Sequence, residues 1–254
     1  MGGRTAVTVR IPVLYEDNHV LVVVKPPGMP TQADRTDDPD LLNALKADLK
    51  TRYAKPGNVF LGLVHRLDRP VGGVMVFAKT SKAASRLSEQ LRSRAISKTY
   101  LAVVCGARLP EAATLTHHLY KDVRTNRVAV VPADHPDAKL AVLDYVRLQT
   151  IRAPGRGEPL HLVRIALHTG RPHQIRAQFA AIGHPVLGDA KYGSHAAGRF
   201  IAEDARIHRI ESSHLALWSY RLAFAHPTTR QELAFTAKPP ETPPWTWFDR
   251  SRLA

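Results

Sequence analysis

The chain has 254 residues, of which 44% are hydrophobic, so it can bury a sizeable core and is not the composition of a mostly disordered protein. Lysine and arginine number 36 against 22 acidic residues, and this net charge of +14 favours a polyanionic partner such as nucleic acid over a merely basic surface. The single cysteine, Cys105, excludes an internal disulfide, and no apolar stretch approaches the roughly 18–20 residues that span a bilayer, so we expect a soluble, cytoplasmic protein with no membrane partner.

The first predicted elements are a buried strand and a helix. Val20–Val24 is a β-branched run typical of a strand, and the two prolines and the glycine within residues 25–28 end it. Asp38 resembles an N-cap, and Pro39 would then occupy the first helical position. Leucines at 41, 42, 45 and 49 follow at helical spacing, which predicts an amphipathic helix.

The rest of the chain predicts two more helices and many strands. One helix is predicted over residues 82–94 with Ser81 as its cap, and another over 171–182, beginning at Pro172 and ending at Gly183. Strands are predicted over Val74–Ala78, Thr99–Val104, Ala141–Leu148 and Leu160–His168, with a hairpin formed by Tyr220–Ala225 and Glu232–Ala237. This mixture indicates an α+β fold.

The densest cluster of reactive side chains is His65-Arg66-Leu67-Asp68-Arg69. Guanidinium groups on both sides of Asp68 favour the ionised form of its carboxylate, which suits a nucleophile or a base better than a proton donor. Taken alone, the cluster would also fit an ordinary charged surface loop.

A second cluster occupies residues 168–176, at a predicted turn from a strand into a helix. His173 and Arg176 are three residues apart and would share a helical face. A helix N-terminus rich in arginine and histidine is suited to an anion such as phosphate. The alternative is a capping arrangement that holds no anion, with histidines satisfied inside the core.

Several chemistries lack their usual motifs. The 13 histidines include no His-Glu-x-x-His pair, and a Cys-x-x-Cys pair is impossible with one cysteine, so we expect no metal site. A glycine-rich phosphate loop and a Gly-x-Ser-x-Gly elbow are also missing from the sequence, which disfavours nucleotide hydrolysis and serine hydrolysis. We therefore expect no metal or organic cofactor.

Several segments together, in chain order, resemble the RluA-type pseudouridine synthases, which convert uridine in structured RNA to its carbon-linked isomer. The segments are 15–26, His65 to Asp68, Lys98-Thr99-Tyr100, Arg171 to Arg176 with 183–185, Gly188 to Gly193, and the weaker Phe224 to Pro227. The resemblance implies a pseudouridine synthase fold, with a mixed, mainly antiparallel sheet flanked by helices around a central RNA-binding cleft. We expect residues 1–254 to form one catalytic domain, closed by a proline-rich segment at 239–254, and to act as a monomer on rRNA or tRNA.

The resemblance also implies roles for individual residues. Asp68 matches the catalytic aspartate, which attacks the anomeric carbon of the ribose or assists its deprotonation. Tyr100 matches a tyrosine that stacks on the target base and serves in proton transfer, and Arg176 an arginine that pairs with the catalytic carboxylate. Arg66 matches the residue that fills the space left by the target nucleotide. The expected substrate-binding residues are Arg66, His65, Arg171, His173 and Gln174.

Two features depart from the family pattern. Val71-Gly72-Gly73 occupies a stretch where relatives often have Thr-Ser-Gly, so hydrogen bonds from those hydroxyls are lost and target choice is put in question. Many relatives also begin with a small RNA-binding domain, which we do not expect here because the catalytic fold starts near Val20. RNA would then be bound by the basic surface of the catalytic domain. As a group, the candidate residues are Arg86, Arg92, Arg94, Arg124 and Arg127.

Two other functions fit part of the pattern. One is an inactive, basic RNA-binding or chaperone protein on the same fold, although pure binding has no need of Asp68, Tyr100 and Arg176 together. The other is a metal-free phosphodiesterase that uses His65 or His173 as acid and base.

Overall fold

The computed structural model describes residues 10–152, 158–193 and 215–253. Their secondary structure consists of strands, three α-helices, and two short 3-10 helices at Trp245–Trp247 and Arg250–Leu253. The strands are β1 (Val13–Glu16), β2 (Val20–Lys25), β3 (Gly62–Leu63), β4 (Gly72–Ala78), β5 (Ser97–Cys105), β6 (Ala112–Asp122), β7 (Arg127–Val131), β8 (Lys139–Ile151), β9 (Leu160–Leu167), β10 (Leu217–Ala225) and β11 (Glu232–Thr236). The helices are α1 (Leu41–Arg52), α2 (Ser81–Arg92) and α3 (Gln174–Ala181).

All these strands belong to one sheet, in the order β1-β2-β4-β10-β5-β9-β8-β6-β7, with β11 added to β10 and β3 to β4. Strands β4 and β10 pair in parallel, whereas every other pairing within the described residues is antiparallel. The prediction of an α+β fold with a mixed, mainly antiparallel sheet is therefore confirmed. Every predicted strand is present in the structure. The predicted strands ending at His168 and Ala237 are one residue too long, and the others lie entirely within observed strands.

The sheet is buried on both faces where β2 and β4 run side by side. On one face Leu41 and Leu45 of α1 pack against a cluster that includes Phe77, and on the other Leu87 of α2 packs against a cluster that includes Val76. All seven residues of β4 are buried, because its alternating side chains enter these two separate cores. A strand covered on both sides carries an unbroken apolar run, and this explains why β2 and β4 could be read from the sequence.

The starts of α1 and α2 differ from the prediction by one or two residues. The N-cap of α1 is Asp40, whose carboxylate accepts the Asn43 amide hydrogen at 3.0 Å, whereas Asp38 forms an ion pair with Arg69. The N-cap of α2 is Thr80, so the predicted cap, Ser81, is the first helical residue. In both cases a second capping-type residue adjoins or lies near the predicted one, and sequence alone does not rank the two.

Helix α3 begins three residues later than predicted. His173 immediately before it has a φ of +49°, in the left-handed region, so Pro172 and His173 form a turn and Pro172 is not the first helical residue. The predicted end is confirmed, since Gly183 follows the helix with a φ of +78°. Ile175 and Phe179 of α3 are buried and turn this helix toward the core.

Four strands were not predicted: β1, β3, β6 and β7. Strand β6 alternates between buried residues such as Leu115 and Leu119 and exposed or half-buried polar ones, including the adjacent His117 and His118. Such a strand contains about as many polar as apolar residues. Its composition therefore does not distinguish it from a loop.

The C-terminal segment packs on the larger core through Trp245 and Phe248, which are buried. Its proline-rich part is not extended throughout as predicted, because residues 241–244 form a bend and a turn that lead into the first 3-10 helix. Arg250 donates hydrogen bonds to the carbonyls of Pro239 and Pro240, which ties the end of the segment to its start. Cys105 is buried. Across the three described stretches, every helix is too short or too polar to cross a membrane.

Candidate active site

A groove of about 920 Å³ contains both clusters that the sequence analysis singled out. Eight cationic side chains and two carboxylates, Asp34 and Asp68, line it. The cations are Arg66, Arg69, Arg92, Lys98, Lys121, Arg171, Arg176 and Lys191. Inside the groove, a smaller cavity of about 80 Å³ is lined by Asp68, Tyr100 and Arg176 together with apolar side chains that include Val71 and Leu217. A polyanion would therefore meet a strongly positive surface around one partly exposed carboxylate.

The loop that carries Asp68 is held by hydrogen bonds to its backbone. Thr31 donates its hydroxyl to the Leu67 carbonyl at 2.8 Å, and the Val71 amide donates to the Asp68 carbonyl at 2.9 Å. Lys25, at the end of β2, donates its ammonium group to the Arg69 carbonyl at 3.0 Å. These contacts on either side of Asp68 fix the direction in which its side chain leaves the loop.

Lys25 is an unusual anchor because its side chain is entirely buried. Burial lowers the pKa of its ammonium group to about 7, although the nearby Asp68 charge acts in the opposite direction. The cation contacts the carbonyls of Pro26 and Arg69 and forms no ion pair within the described residues. Lys25 therefore supports the backbone beneath the candidate nucleophile without neutralising it by direct contact.

Arg176 joins two carboxylates. Its Nη1 lies 3.0 Å from Asp68 Oδ2, while Nε and Nη2 donate to the two oxygens of Asp189 at 2.7 and 2.8 Å. Burial alone would lower the pKa of Arg176, but the hydrogen bonds and charges of Asp189 and Asp68 outweigh it and raise the pKa. The guanidinium group is thus a permanent cation with a fixed orientation, and one edge of it faces Asp68.

Tyr100 projects from β5 and is 7% exposed. Burial raises the pKa of its phenol to about 12, and the Asp68 charge adds to this effect, whereas a hydrogen bond with Ser219 opposes it. The phenol is therefore protonated at neutral pH. It can stack on a base through its ring and donate a hydrogen bond through its hydroxyl.

His173 lies beside the same carboxylate. Its Nε2 is 3.8 Å from Asp68 Oδ2, and its Nδ1 forms a 2.6 Å hydrogen bond with the hydroxyl of Tyr192. Burial lowers the pKa of His173, with the Asp68 charge opposing the shift. The Tyr192 ring also lies against the Arg176 guanidinium, 5.0 Å from its centroid. Asp68 is thus flanked by His173 and Arg176, and Tyr192 contacts both of these residues.

The remaining predicted substrate-binding residues differ in how accessible they are. Arg66 is exposed on the groove, and Arg171 reaches the groove while donating its Nε to the Leu140 carbonyl at 3.0 Å. Gln174 is buried, with its carbonyl accepting from Thr169 and from the Arg171 amide and its amide group donating to Val142. Its side chain organises the turn before α3 and also lines the smaller cavity beside Asp68.

His65 lines the groove but is also part of its frame. Its Nε2 accepts the Val76 amide hydrogen at 3.2 Å, which ties the loop before Asp68 to β4. Burial lowers the pKa of His65 to about 4, and the nearby Lys98 charge contributes. The ring is therefore neutral at physiological pH.

The five arginines expected to bind RNA as a group do not form one surface. Arg92 lines the groove, whereas Arg86 donates to the Pro227 carbonyl at 2.7 Å. Arg127 contacts the Lys191 carbonyl and the Tyr192 ring at the edge of the site. Arg94 and Arg124 are not among the groove-lining residues.

Among the described residues, no three His, Cys, Asp or Glu side chains converge as a metal centre would require.

Several groups at the site were not assigned a role from the sequence. Asp189, Lys191 and Tyr192 lie in the segment from Gly188 to Gly193, which carried part of the resemblance and could have indicated them. Lys25 and Lys98 likewise lie within segments that carried it. Their spacing along the chain gave no sign of a shared site, because they come from different strands and loops.

Comparison with known proteins places this fold and site in one enzyme class. Residues 19–181 match the sequence model of a family described as RNA pseudouridylate synthase. The chain is 34% identical over 251 residues to ribosomal large subunit pseudouridine synthase D of Pseudomonas aeruginosa, covering 96% of this chain and 73% of that protein. It is 32% identical to tRNA pseudouridine synthase C of Pasteurella multocida, covering 89% and 90% of the two chains.

Solved structures agree at the level of the fold. Human RNA Pseudouridylate Synthase Domain Containing 4 superposes with a TM-score of 0.72 at 22% identity, over 95% of this chain and 92% of that one. Human RNA Pseudouridylate Synthase Domain Containing 1 gives a TM-score of 0.71, also at 22% identity, over 93% and 86%. The fold is therefore that of the pseudouridylate synthase domains. The chain belongs to the RNA pseudouridylate synthase family, among its RluA-type members, and the predicted family and enzyme class are confirmed.

Proposed function

We propose that Asp68 is the catalytic carboxylate in the isomerisation of specific uridines to pseudouridine in ribosomal or transfer RNA. The observation that carries the proposal is the 3.0 Å ion pair between Asp68 and Arg176, beside the buried Tyr100, within a cationic groove. Relatives named for large-subunit ribosomal RNA and for tRNA support these two substrate classes. Asp68, Tyr100 and Arg176 line one cavity within a single chain, so the proposed chemistry needs no residue from a second subunit, and we propose a monomer in the cytoplasm.

The target base must first leave its stack, at a cost of about a few kcal/mol. Arg66 is exposed on the groove close in sequence to Asp68, and it is the side chain that would occupy the vacated space. Its cationic group would also lie among backbone phosphates. The uridine can then enter the smaller cavity, where Tyr100 offers its ring to the base.

In one route, the Asp68 carboxylate forms a bond to C1′ while the bond from C1′ to N1 breaks and its electron pair stays on the uracil. The uracil then turns so that C5 bonds to C1′ as the aspartyl oxygen leaves with its electron pair. The C5 proton passes to a base, and N1 takes up a proton in its place. In the other route, Asp68 takes the C2′ proton of the ribose as the bond from C1′ to N1 breaks, which leaves a double bond between C1′ and C2′. C5 then bonds to C1′ while C2′ regains its proton, and the C5 proton is replaced by one on N1. Both routes conserve every atom, and so the reaction requires no oxidant, reductant or co-substrate.

Arg176 and Tyr100 support these steps in different ways. Arg176, held by Asp189, aims and stabilises the Asp68 carboxylate, because its guanidinium cannot turn away without breaking two hydrogen bonds. Tyr100 is protonated and can donate to an oxygen or nitrogen of the base during its release and recapture. His173 adds a further polar group, 3.8 Å from Asp68.

Mapping pseudouridines across total RNA tests the proposal. Cells producing the wild-type protein are compared with cells producing Asp68→Asn, with Asp137→Asn as a control because Asp137 is exposed on a turn and does not line the groove. We expect a small set of pseudouridines to disappear with Asp68→Asn alone, and these sites would name the substrate. An identical map in all three strains would refute the proposal.

The same comparison separates the two other functions. A binding or chaperone protein would retain its phenotype in Asp68→Asn, since affinity does not need a nucleophile. A phosphodiesterase would shorten RNA and depend on His65 or His173, yet His65 Nε2 accepts from a backbone amide and His173 Nδ1 bonds to Tyr192. We expect RNA length to stay constant with every variant.

A further inference from the structure

Lys98 is a groove cation without an assigned role. It lies near the start of β5, two residues before Tyr100, so the two side chains project from the same face of the strand. Residues so spaced are about 6.6 Å apart along a strand. This separation is comparable with that between a nucleobase and the phosphates on either side of its own ribose.

Lys98 lacks any acidic partner. Within the described part of the chain its ammonium group forms no ion pair and no hydrogen bond, and burial lowers its pKa. Of the other lysines at the site, Lys25 is held by two carbonyls and Lys191 by the Asn126 carbonyl at 2.7 Å, whereas Lys121 is exposed to solvent. A half-buried cation has lost part of its hydration, and an anionic ligand would compensate for that loss.

Two neutral donors adjoin Lys98. A Cβ placed on Gly170 would lie 3.2 Å from Lys98 Nζ, so the ammonium group rests against the Gly170 backbone, whose amide hydrogen has no acceptor among the described residues. His65 Nε2 accepts a hydrogen bond, so the proton of the neutral ring is on Nδ1, which donates to no described residue. Lys98, Gly170 and His65 all line the groove, Lys98 Nζ lies beside Gly170, and the Lys98 charge is near enough to lower the pKa of His65.

We propose that Lys98, with the Gly170 amide and His65 Nδ1, binds the phosphodiester adjacent to the target uridine. The inference rests on the proposed function, because it places the target base at Tyr100. Bound there, the phosphate would fix the backbone on one side of the nucleotide while the base leaves its stack. The glycine matters because the Lys98 ammonium occupies the space that a side chain would take.

The probe is a stem-loop RNA containing a uridine identified by the pseudouridine map. It is made in four forms: unmodified, with a neutral methylphosphonate linkage 5′ of the target, with one 3′ of it, and with one in the distal stem. The proteins are wild type, Lys98→Met, Lys98→Arg and Lys50→Met, the last being an exposed lysine of α1 outside the groove. The dissociation constant comes from the dependence of the single-turnover rate on enzyme concentration.

We expect one flanking neutral linkage to weaken binding by wild type, Lys98→Arg and Lys50→Met about tenfold, and to leave Lys98→Met unaffected beyond its own loss. Lys98→Met should also reduce the slope of log affinity against log salt by about 0.7, the loss of one phosphate contact on single-stranded RNA. Lys98→Gln provides the same comparison if the methionine variant fails to fold.

The experiment distinguishes failure of the phosphate site from failure of the proposed function. Equal sensitivity of wild type and Lys98→Met to both flanking linkages, with unchanged salt slopes, would overturn the phosphate site while leaving the isomerase intact. A wild-type protein that forms no pseudouridine in any RNA would overturn the proposed function, and the phosphate site with it.

Discussion

One guanidinium group serves two carboxylates of different accessibility. The Asp189 side chain has 0% exposure and takes two nitrogens of Arg176, whereas Asp68 is 28% exposed and takes the third. Asp189 therefore orients Arg176 from the buried side of the guanidinium group, and Asp68 remains accessible from the groove. Buried ion pairs add little net stability compared with apolar packing, so the arrangement is better explained by orientation than by stability.

Removing the charge of Asp189 should be costly. Asp189→Asn leaves the buried Arg176 without its bidentate partner, and we expect the free energy of unfolding to fall by about 3–5 kcal/mol in urea titrations. The control is Asp48→Asn, which breaks an exposed pair with Arg52 on α1 and should cost less than about 1 kcal/mol. Equal stability of the two variants would show that the buried pair does not hold Arg176.

The Tyr100 hydroxyl should affect turnover more than binding. Tyr100→Phe keeps the aromatic ring for stacking but removes the proton, and we expect similar RNA affinity with turnover slower by about 100-fold or more. Tyr120→Phe on β6 is the control, since Tyr120 does not line the groove. Unchanged turnover in Tyr100→Phe would remove the phenol from proton transfer.

His65 predicts a dependence of stability on pH. Its pKa in the folded protein, about 4, is below the 6.5 of the unfolded chain. Between these values the unfolded state binds the proton and the folded state does not, so this contribution is complete above pH 6.5 and is lost as the pH falls toward 4, by up to about 1.4 kcal/mol per pH unit. His65→Gln keeps an acceptor for Val76 without titrating. Urea unfolding at several pH values should show a shallower acid loss in this variant, and an identical loss would contradict the assignment.

At the scale of elements, the packing of Gly72 at the start of β4 explains why the family's serine is replaced there, while Gly73 keeps the family's glycine. A Cβ on Gly72 would lie 2.3 Å from the Trp218 ring, and Gly73 has a φ of +119° with the Ser219 carbonyl equally close to a Cβ. Strand β10, which carries Trp218, pairs in parallel with β4 at these two residues. The Trp218 ring therefore fills the space that a side chain at position 72 would need.

Restoring the family's serine should therefore destabilise the protein. We expect Gly72→Ser to lower the free energy of unfolding by about 1–3 kcal/mol through overpacking against Trp218. In the background of Trp218→Ala, the same serine should cost much less, and the coupling is measured by a double-mutant cycle. Additive effects would mean that the indole does not exclude the hydroxyl side chain.

The sequence predicted a strand or helix correctly where one local pattern, such as a continuous apolar run, was strong. Strands β2 and β4 are covered on both faces and so carry continuous apolar runs, whereas β6 and β7 are partly exposed and were missed. Helix starts were misplaced because Asp38 and Asp40 are both good caps, and only the tertiary ion pair of Asp38 with Arg69 decides between them. That contact joins residues 31 positions apart and leaves no local pattern.

The site was predicted through resemblance more than through spacing. Asp68 and Arg176 are 108 residues apart in sequence, and their pairing depends on how the β3–β4 loop meets α3. Gln174 was predicted from its polarity and position to bind substrate, and its amide also forms three hydrogen bonds that build the turn before α3. Polarity alone does not separate a residue that binds RNA from one that supports the backbone.

At the scale of the whole molecule, the groove concentrates part of the net charge of +14 around one carboxylate. Binding of RNA should therefore release counterions, and we expect affinity to fall about 100-fold between roughly 50 and 200 mM salt. Filter binding with rRNA and tRNA transcripts measures this dependence. A flat response would argue against polyanion binding in the groove.

The most direct test of Asp68 uses purified protein and an RNA that contains a mapped target. Wild type, Asp68→Asn and Asp137→Asn are compared for pseudouridine formed under single-turnover conditions, with RNA affinity measured in parallel. We expect Asp137→Asn to match wild type, and Asp68→Asn to bind the RNA yet form no pseudouridine. Pseudouridine formation by Asp68→Asn at the wild-type rate would contradict the assignment of Asp68 as the catalytic carboxylate.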